Sequence, residues 1–431
     1  MKRIAAILLA GCLLAGCAAS DNLASVSRLP EAPARTQAAG LDVYCDAPEQ
    51  SALRDALQSY ADAQGVTLAY TSDAASADLA LLSSQPDGDG WTDLAGQPLL
   101  SAAAGRAGLP AEGQQTVTAL PLGRSLYAYW ADSALLTALL GENGLTDLQN
   151  ATWTEWQNFV LSMTAWIETP SAVSLTLNGS AYTLPADKPE AAAGLEGVFA
   201  VGGADAAAWA GPVYTSALLA AGGEYTADTL TGPAGSVYSA LTLELENLAG
   251  SAGGTQAEAA QAAADGRALF CRISLADLAA ALGADAVQGM TPLPFKCYFV
   301  QNDLSTEEYN LTGLMNYPTL ACAGYLAIPS GADNAEGAAS AILWMYGSGT
   351  GNTALTDGLL LVTPWNTASD ATALGARQVE IVSTGILPEV ALGADQNAAL
   401  AQAGQELAGA DAFSYLTRDA FVRAAVQALA G

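Results

Sequence analysis

Arg124 and Arg272 are conspicuous because cations are scarce: 14 basic side chains stand against 43 acidic ones. A guanidinium can clamp a carboxylate or phosphate through two parallel hydrogen bonds. It can equally pair with one of the surrounding acids, and the surplus of acids favours that second use. Histidine is absent, which excludes Ser-His-Asp and Cys-His catalysis, HExxH chemistry and imidazole-ligated zinc. Beyond Lys2 the only lysines are Lys188 and Lys296; neither follows the glycines of a phosphate loop or stands three residues after a serine. Walker A and SxxK chemistry are therefore excluded as well. Paired carboxylates for acid-base hydrolysis arise by chance among 43 acids, and no motif marks one. Cys45, Cys271, Cys297 and Cys322 show neither a CxxC nor a metal spacing. Their apolar contexts point to buried thiols, with one disulfide as the alternative. No cofactor and no metal site are expected.

The chain opens MKRIAAILLAGCLLAGCAAS, in which Lys2 and Arg3 precede an apolar stretch and small residues precede Cys17. That is the layout of a secretory signal, and the apolar stretch is too short to span a bilayer. Leu14-Ala15-Gly16-Cys17 also resembles the bacterial lipoprotein box, whose cysteine is lipidated. Cleavage at Cys12 would leave an apolar region under the usual minimum of about seven residues, so Cys17 is the expected lipidation site. The segments are then a signal peptide over 1–16 and a flexible Ala/Ser/Pro-rich tether over 17–40.

The remaining body of about 390 residues exceeds the roughly 250–300 at which single cores stop growing, so two lobes are expected. The formal net charge is −29, and loss of Lys2 and Arg3 makes it more negative. Such a surface repels nucleic acid and anionic lipid, leaving the N-terminal lipid as the only membrane contact.

Leu41–Ala47 reads as a strand, and Leu53, Leu57, Tyr60 and Ala61 recur at helical spacing. Residues 67–72 and 77–84 read as further strands, which together open an α/β unit with parallel strands. Residues 118–130 are extended and lead to a helix ended by Gly141 or Gly144. Thr152 or Asn150 can cap the next helix, where the spacing of Trp153, Trp156 and Trp166 argues for core packing. Helices are expected over 217–227, 236–250 and 256–266, then strand and helix from Arg267, and a helical tail over 396–430.

The order of these phrases resembles a known family. ALPLGRSLYAYWADSALLTALLG is similar to its proline, strand, Tyr-Asn, helix crossover, with Trp130 in place of the asparagine. TDLQNATWTEWQNFV resembles its Pro-x-Thr-Trp-x-Glu helix start, with Ala151 in place of the proline. In AADGRALFCRIS, Gly266, Arg267 and Ala268 match its Gly-Lys-Ala strand. GMTPLPF, YLAIPSGADNAEGAASAILWMYGS and STGILPE complete the series. Each motif is short and made of common residues, but six stand in order across 41–431 behind a lipoprotein box. The chain therefore resembles the family 1 extracellular solute-binding proteins of ABC importers, the sugar-binding lipoproteins related to maltose-binding protein. Residues 296–317 match nothing in that pattern.

The resemblance implies an α/β, two-lobed periplasmic-binding-protein-like fold (type II), each lobe a mostly parallel sheet flanked by helices and joined by crossover hinge strands. The N-terminal lobe would take residues 41–122 and 318–365, the C-terminal lobe 123–317 and 366–431. It also implies a monomer without catalysis, lipid-anchored on the extracytoplasmic side of the cell membrane, that encloses a solute between its lobes and passes it to ABC permease subunits. Sugars suit such a site, since their C–H faces stack on aromatic rings and their hydroxyls need paired donors and acceptors. By position at strand ends or crossovers, Tyr44, Asp46, Arg124, Trp130, Trp209, Tyr214, Arg272, Tyr317 and Trp365 are the candidate ligand contacts. Core packing is the competing role for each aromatic, as acid pairing is for the arginines. The aromatic count of 8 Trp and 15 Tyr leans mildly toward sugar. A lipid-anchored hydrolase using paired carboxylates, or a sensory or adhesive lipoprotein with the same fold, are the alternatives.

Overall fold

Alternation in Gly40–Cys45 sends Leu41 and Val43 to one side of a strand and Tyr44 to the other. From this strand the computed structural model builds the first of two compact units. It describes residues 40–46, 51–83, 85–86, 88–95, 100, 116–203, 209, 211–220, 225–297, 318–347, 349–363, 375, 378, 381 and 392–430. The expected signal, Cys17 and all of the expected tether but Gly40, together with most of the unmatched segment, lie outside them.

In chain order the elements are β1 (Gly40–Cys45), α1 (Ser51–Gln64), β2 (Thr67–Thr71), β3 (Leu79–Leu82), β4 (Ala119–Pro121), β5 (Arg124–Asp132), α2 (Ser133–Leu140) and α3 (Trp153–Glu168). There follow β6 (Val173–Leu177), β7 (Ser180–Leu184), β8 (Gly197–Ala200), α4 (Ala227–Leu245), α5 (Gln256–Ala264), β9 (Ala268–Ser274), α6 (Leu275–Leu282) and β10 (Met290–Leu293). The last are β11 (Thr319–Cys322), β12 (Tyr325–Ala327), α7 (Ala335–Gly347), α8 (Ala394–Ala408) and α9 (Tyr415–Ala430). The first unit draws its described residues from Met1–Ser125, Cys322–Thr384 and Ala391–Ala394; the second from Leu126–Ala321, Gly385–Val390 and Asp395–Gly431.

In the first unit the strand order is β2-β1-β3-β12-β4. Leu41, Val43, Leu79 and Leu81 face Leu57 and Tyr60 of α1 and Ala338, Ile342 and Tyr346 of α7 in one buried cluster. Each leucine, valine or isoleucine among them contributes about 1.5–3 kcal/mol on burial. Asp78, also buried, accepts from the backbone N–H of Asp42 (3.0 Å) and Asn334 (2.6 Å), which ties β1 to the turn before α7.

In the second unit the order is β10-β5-β9-β8, with β11 also paired to β5. Seven consecutive positions of β5 are buried, as a strand covered on both faces requires. Tyr129 of β5 stacks on Trp156 of α3 at 5.5 Å, and Phe159, Phe199, Phe270 and Phe295 complete an aromatic core around them. The cap at Thr152 is a capping box: its hydroxyl accepts from Glu155 N–H (3.3 Å) while the Glu155 carboxylate accepts from Thr152 N–H (2.9 Å).

Four differences from the sequence reading are present, and the first three have physical causes. The sheets are mixed rather than mostly parallel, because β12 re-enters the first sheet antiparallel to both its neighbours and β5 runs antiparallel to β9 and β10. Helix α4 begins at Ala227, two turns ahead of the expected start, and carries Pro233 inside it; Thr-Gly-Pro reads as a break because proline removes one ladder bond. The β6–β7 hairpin is absent from the sequence reading, although its turn, Asn178-Gly179 with φ of 49° and 76°, carries the Asn-Gly signal of a two-residue hairpin. The helical tail is two helices separated by 409–414.

Candidate functional site

β1 is followed by β2 on one side of it, and the chain then returns to form β3 on the other, both parallel to β1. At such a reversal of strand order the connections leave in opposite directions, and a crevice opens at the carboxyl ends of the strands. β4 is antiparallel to β12, which is antiparallel to β3, so β4 also points its carboxyl end to the same edge. That edge carries Tyr44 and Cys45 at the end of β1 and Asp46 after it, Ser83 after β3, and Gly123 and Arg124 after β4.

The edge is held by backbone bonds. Asp46 N–H donates to Leu81 O at 3.1 Å, and the Asp46 carboxylate accepts from Ser83 N–H at 2.6 Å. Leu122 N–H donates to Gly324 O at 2.7 Å, and Arg124 exchanges both of its backbone bonds with Val362 at 2.9 and 2.8 Å. Gly123 permits the close approach there, since a Cβ on it would lie 2.7 Å from Leu361 Cβ. Asp46 and Ser83 are exposed; Tyr44 and Arg124 are half-buried. Tyr44 packs with Trp91 and Cys322 against a small cluster of Ala80, Leu82, Ala119, Tyr325 and Ala327, on the sheet face opposite the main core. Ser83 and Trp91 are not among the candidates drawn from sequence. Trp91 follows the glycines of Gly88-Asp89-Gly90, the same kind of context that singled out Trp209.

The other described candidates sit in the interior of the second unit and present no surface there. Trp130 is fully buried in β5 and donates its indole N–H to Ile273 O at 2.9 Å. Trp209 donates to Gly203 O at 3.2 Å, and its Cβ would lie 2.5 Å from a Cβ placed on Gly404. Tyr214 is buried and stacks on Phe421 at 6.4 Å; burial pushes its hydroxyl pKa far up. Large rings fill volume and recover dispersion contacts best in the interior, which is why these positions serve packing. Tyr317 and Trp365 lie outside the described residues.

Arg272 takes the acid-pairing role. Its Nε donates to both carboxylate oxygens of Glu244 at 3.0 and 3.1 Å, and its Nη1 donates to the Tyr127 hydroxyl at 2.6 Å. The Tyr129 hydroxyl donates to the same Glu244 carboxylate, and the guanidinium lies 5.3 Å from the Trp209 ring centroid. Burial works against the charge on Arg272, but Glu244 and the two phenols hold its pKa above the ordinary value. A guanidinium so enclosed has no face left for a solute. Lys296 is also enclosed: its amine donates to Gln149 O at 2.6 Å and Ala151 O at 3.1 Å, and burial pulls its pKa down to about 7.

Cys45, Cys271, Cys297 and Cys322 are thiols rather than disulfides, and burial pushes the Cys271 thiol up to about 12. No group of three or more residues suited to hold a metal occurs among the described residues. Among them, too, no helix is long and apolar enough to cross a membrane.

No family model matches the sequence, and no curated protein does. Solved structures do match. A sugar transporter of Bacillus licheniformis in complex with stachyose is 12% identical, with 90% of this chain and 100% of that chain covered at a TM-score of 0.57. A Streptococcus pneumoniae solute-binding protein in complex with the blood group A-trisaccharide is 12% identical, covering 91% and 99% at 0.54. A family 1 extracellular solute-binding protein from Bifidobacterium longum subsp. infantis is 12% identical, covering 90% and 98% at 0.53.

The fold is that of the family 1 extracellular solute-binding proteins. Of the candidates drawn from the sequence, Tyr44, Asp46 and Arg124 lie along the edge of the first sheet, while Trp130, Trp209, Tyr214 and Arg272 build the second unit's interior.

Proposed function

We propose that this chain is a carbohydrate receptor that binds its solute unchanged and delivers it to a membrane permease, held outside the cell by a lipid on Cys17. The observation that carries the reading is the common edge of β1, β3 and β4. It carries the half-buried Tyr44 and the exposed Asp46 at the switch point, with Arg124 after β4 on the same edge, in a fold shared with proteins whose solved complexes contain stachyose and a blood group trisaccharide. Stacking on the Tyr44 ring, with hydrogen bonds donated to the Asp46 carboxylate and by the Arg124 guanidinium, matches the needs of a sugar's apolar face and its hydroxyls. The chain's lack of histidine and the enclosure of Arg272 and Lys296 leave this edge better suited to binding than to group transfer.

Titration with a panel of neutral mono- and oligosaccharides is expected to raise the melting temperature for at least one of them, by mass action on the folded state. Tyr44→Ala should weaken that binding about tenfold, the scale of a lost aromatic contact, while Tyr44→Phe retains it. A full panel without any shift would sink the proposal. For the anchor, Cys17→Ser is expected to move the protein from the membrane fraction to the soluble fraction. Retention in the membrane would point to Cys12 or to an uncleaved apolar segment.

A further inference from the structure

Two Asn-Gly dipeptides occur in the sequence, Asn143-Gly144 and Asn178-Gly179. Glycine has no Cβ, so its backbone nitrogen can approach the carbonyl carbon of the preceding side chain. In an unfolded chain the two pairs are equivalent, and the fold separates them. Asn143 has a right-handed helical backbone and leads into the short helix Gly144–Gln149. Gly144 is buried, its N–H donates to Gly141 O at 3.2 Å, and a Cβ on it would collide with the Leu140 side chain. Asn178 and Gly179 are instead the exposed loop of the β6–β7 hairpin, between the paired Leu177 and Ser180. A Cβ on Gly179 would meet nothing within 4 Å. Two carboxylates from outside the hairpin hold this turn. Asn178 Nδ2 donates to Asp147 Oδ1 at 3.1 Å, and Gly179 N–H donates to Glu155 Oε1 at 3.0 Å. The Tyr182 hydroxyl donates to the other oxygen of Asp147. Together with Asn178 and Ser180 it holds the Asp147 carboxyl below its usual range, so that Asp147 stays an ionised acceptor. The nucleophile and the leaving amide of an Asn-Gly cyclisation are thus each tied to a different acid, in a turn open to water.

We propose that Asn178 is a site of spontaneous deamidation, held back in the native hairpin by Asp147 and Glu155. The Gly179 nitrogen attacks Asn178 Cγ and gives its proton to solvent hydroxide. The new N–Cγ bond closes a five-membered imide, the Cγ–Nδ2 bond breaks, and the side-chain nitrogen leaves as ammonia with a proton taken from water. Water then opens the imide at either carbonyl, leaving aspartate or its β-linked isomer at position 178. Nothing is oxidised or reduced, and water is the only co-reactant consumed. The product sets a carboxylate where the amide donated to Asp147, so that like charges replace a hydrogen bond. The β-linked isomer also adds a main-chain carbon to a two-residue loop whose length sets the strand register. Leu177 and Leu184, both fully buried, keep the hairpin on the body, so the change is confined to its tip.

The test is incubation of the full chain in mildly alkaline water labelled with heavy oxygen, followed by peptide mass spectrometry at residues 143 and 178. Wild type in urea, native wild type and native Asp147→Ala are compared. In urea both asparagines are expected to convert at similar rates. In the native wild type Asn178 should convert at least about tenfold more slowly than in urea, the scale of one hydrogen bond to a charged group. Asn143 should stay unconverted over the same period. Asp147→Ala should speed conversion of Asn178 about tenfold over the native wild type and leave Asn143 as it was. A general loss of the fold would release both asparagines, so the ratio of the two rates reads the hairpin tip alone. Tyr182→Phe, which removes a donor from Asp147, should raise that ratio by a smaller factor and replaces Asp147→Ala if that variant does not fold. Label should appear in both aspartate and its β-linked isomer; label in aspartate alone would mean direct hydrolysis and overturn the imide route. Native Asn178 converting as fast as in urea, or a ratio unmoved by both variants, would overturn the proposed restraint. Asn143 converting ahead of Asn178 in the native chain would overturn the site itself.

Discussion

Glu244→Ala is expected to destabilise the second unit by about 3–5 kcal/mol, because it leaves the Arg272 guanidinium charged and buried without its counter-ion. Arg272 is fully buried and Glu244 nearly so, so water cannot take over the lost bonds. Arg272→Ala should cost a similar amount, since it strands the carboxylate and also empties the space beneath the Trp209 ring. The paired replacement Glu244→Leu with Arg272→Met is expected to recover a large part of either loss, because an apolar pair of similar volume carries no desolvation penalty. Recovery should be incomplete: the Tyr129 hydroxyl would lose its Glu244 acceptor, at about 1–3 kcal/mol for a buried group left unsatisfied. Urea denaturation followed by tryptophan fluorescence of the three variants beside the wild type measures these losses. Single variants each costing under about 1 kcal/mol would show that the pair is solvated.

The second large effect is a pH dependence centred on Lys296. Burial lowers its amine from an ordinary 10.5 to about 7 in the folded protein. Between these values the unfolded chain holds the proton and the folded chain does not. The unfolded state therefore binds more protons, and stability rises with pH through this window. From pH 7 to 9 the gain is about 2–3 kcal/mol, at 1.36 kcal/mol for each unit. Below about pH 7 both states carry the proton and the slope vanishes. Above about pH 9 the Cys271 and Cys297 thiols, both held protonated in the fold by burial, together outweigh Lys296 and reverse the trend as the unfolded thiols ionise. Lys296→Met removes the titrating amine, so the difference in unfolding free energy between wild type and variant should grow in favour of the wild type from pH 7 to 9. A constant difference across that range would mean that Lys296 keeps its charge in the fold. The variant also strands the carbonyls of Gln149 and Ala151, and that loss is independent of pH. The slope, rather than the offset, is therefore the reading that matters.

The two expectations share a cause that the sequence does not carry. Arg272 and Glu244 are 28 residues apart and Arg272 and Tyr127 are 145 apart. Acid pairing was the favoured role for Arg272 on composition alone, but nothing local names Glu244 among 43 acids. Trp209 looked available because glycines flank it, whereas Gly404, far along the chain, leaves the space into which its ring packs.

What the sequence by itself determined is local. The capping box at Thr152 and Glu155, the stop at Gly141 with φ 74°, the core stripe of Trp156 and Trp166, and the parallel opening of β1, β2 and β3 follow from neighbouring side chains, dihedral freedom and periodicity. Composition excluded histidine chemistry outright. Only the tertiary structure decided that β12 returns antiparallel, and so turns the end of β4 to the same edge as the ends of β1 and β3. Strand register and pairing between distant segments depend on how whole faces bury against one another. That long-range choice brings Tyr44, Asp46 and Arg124 to one edge and encloses Trp130, Trp209, Tyr214 and Arg272.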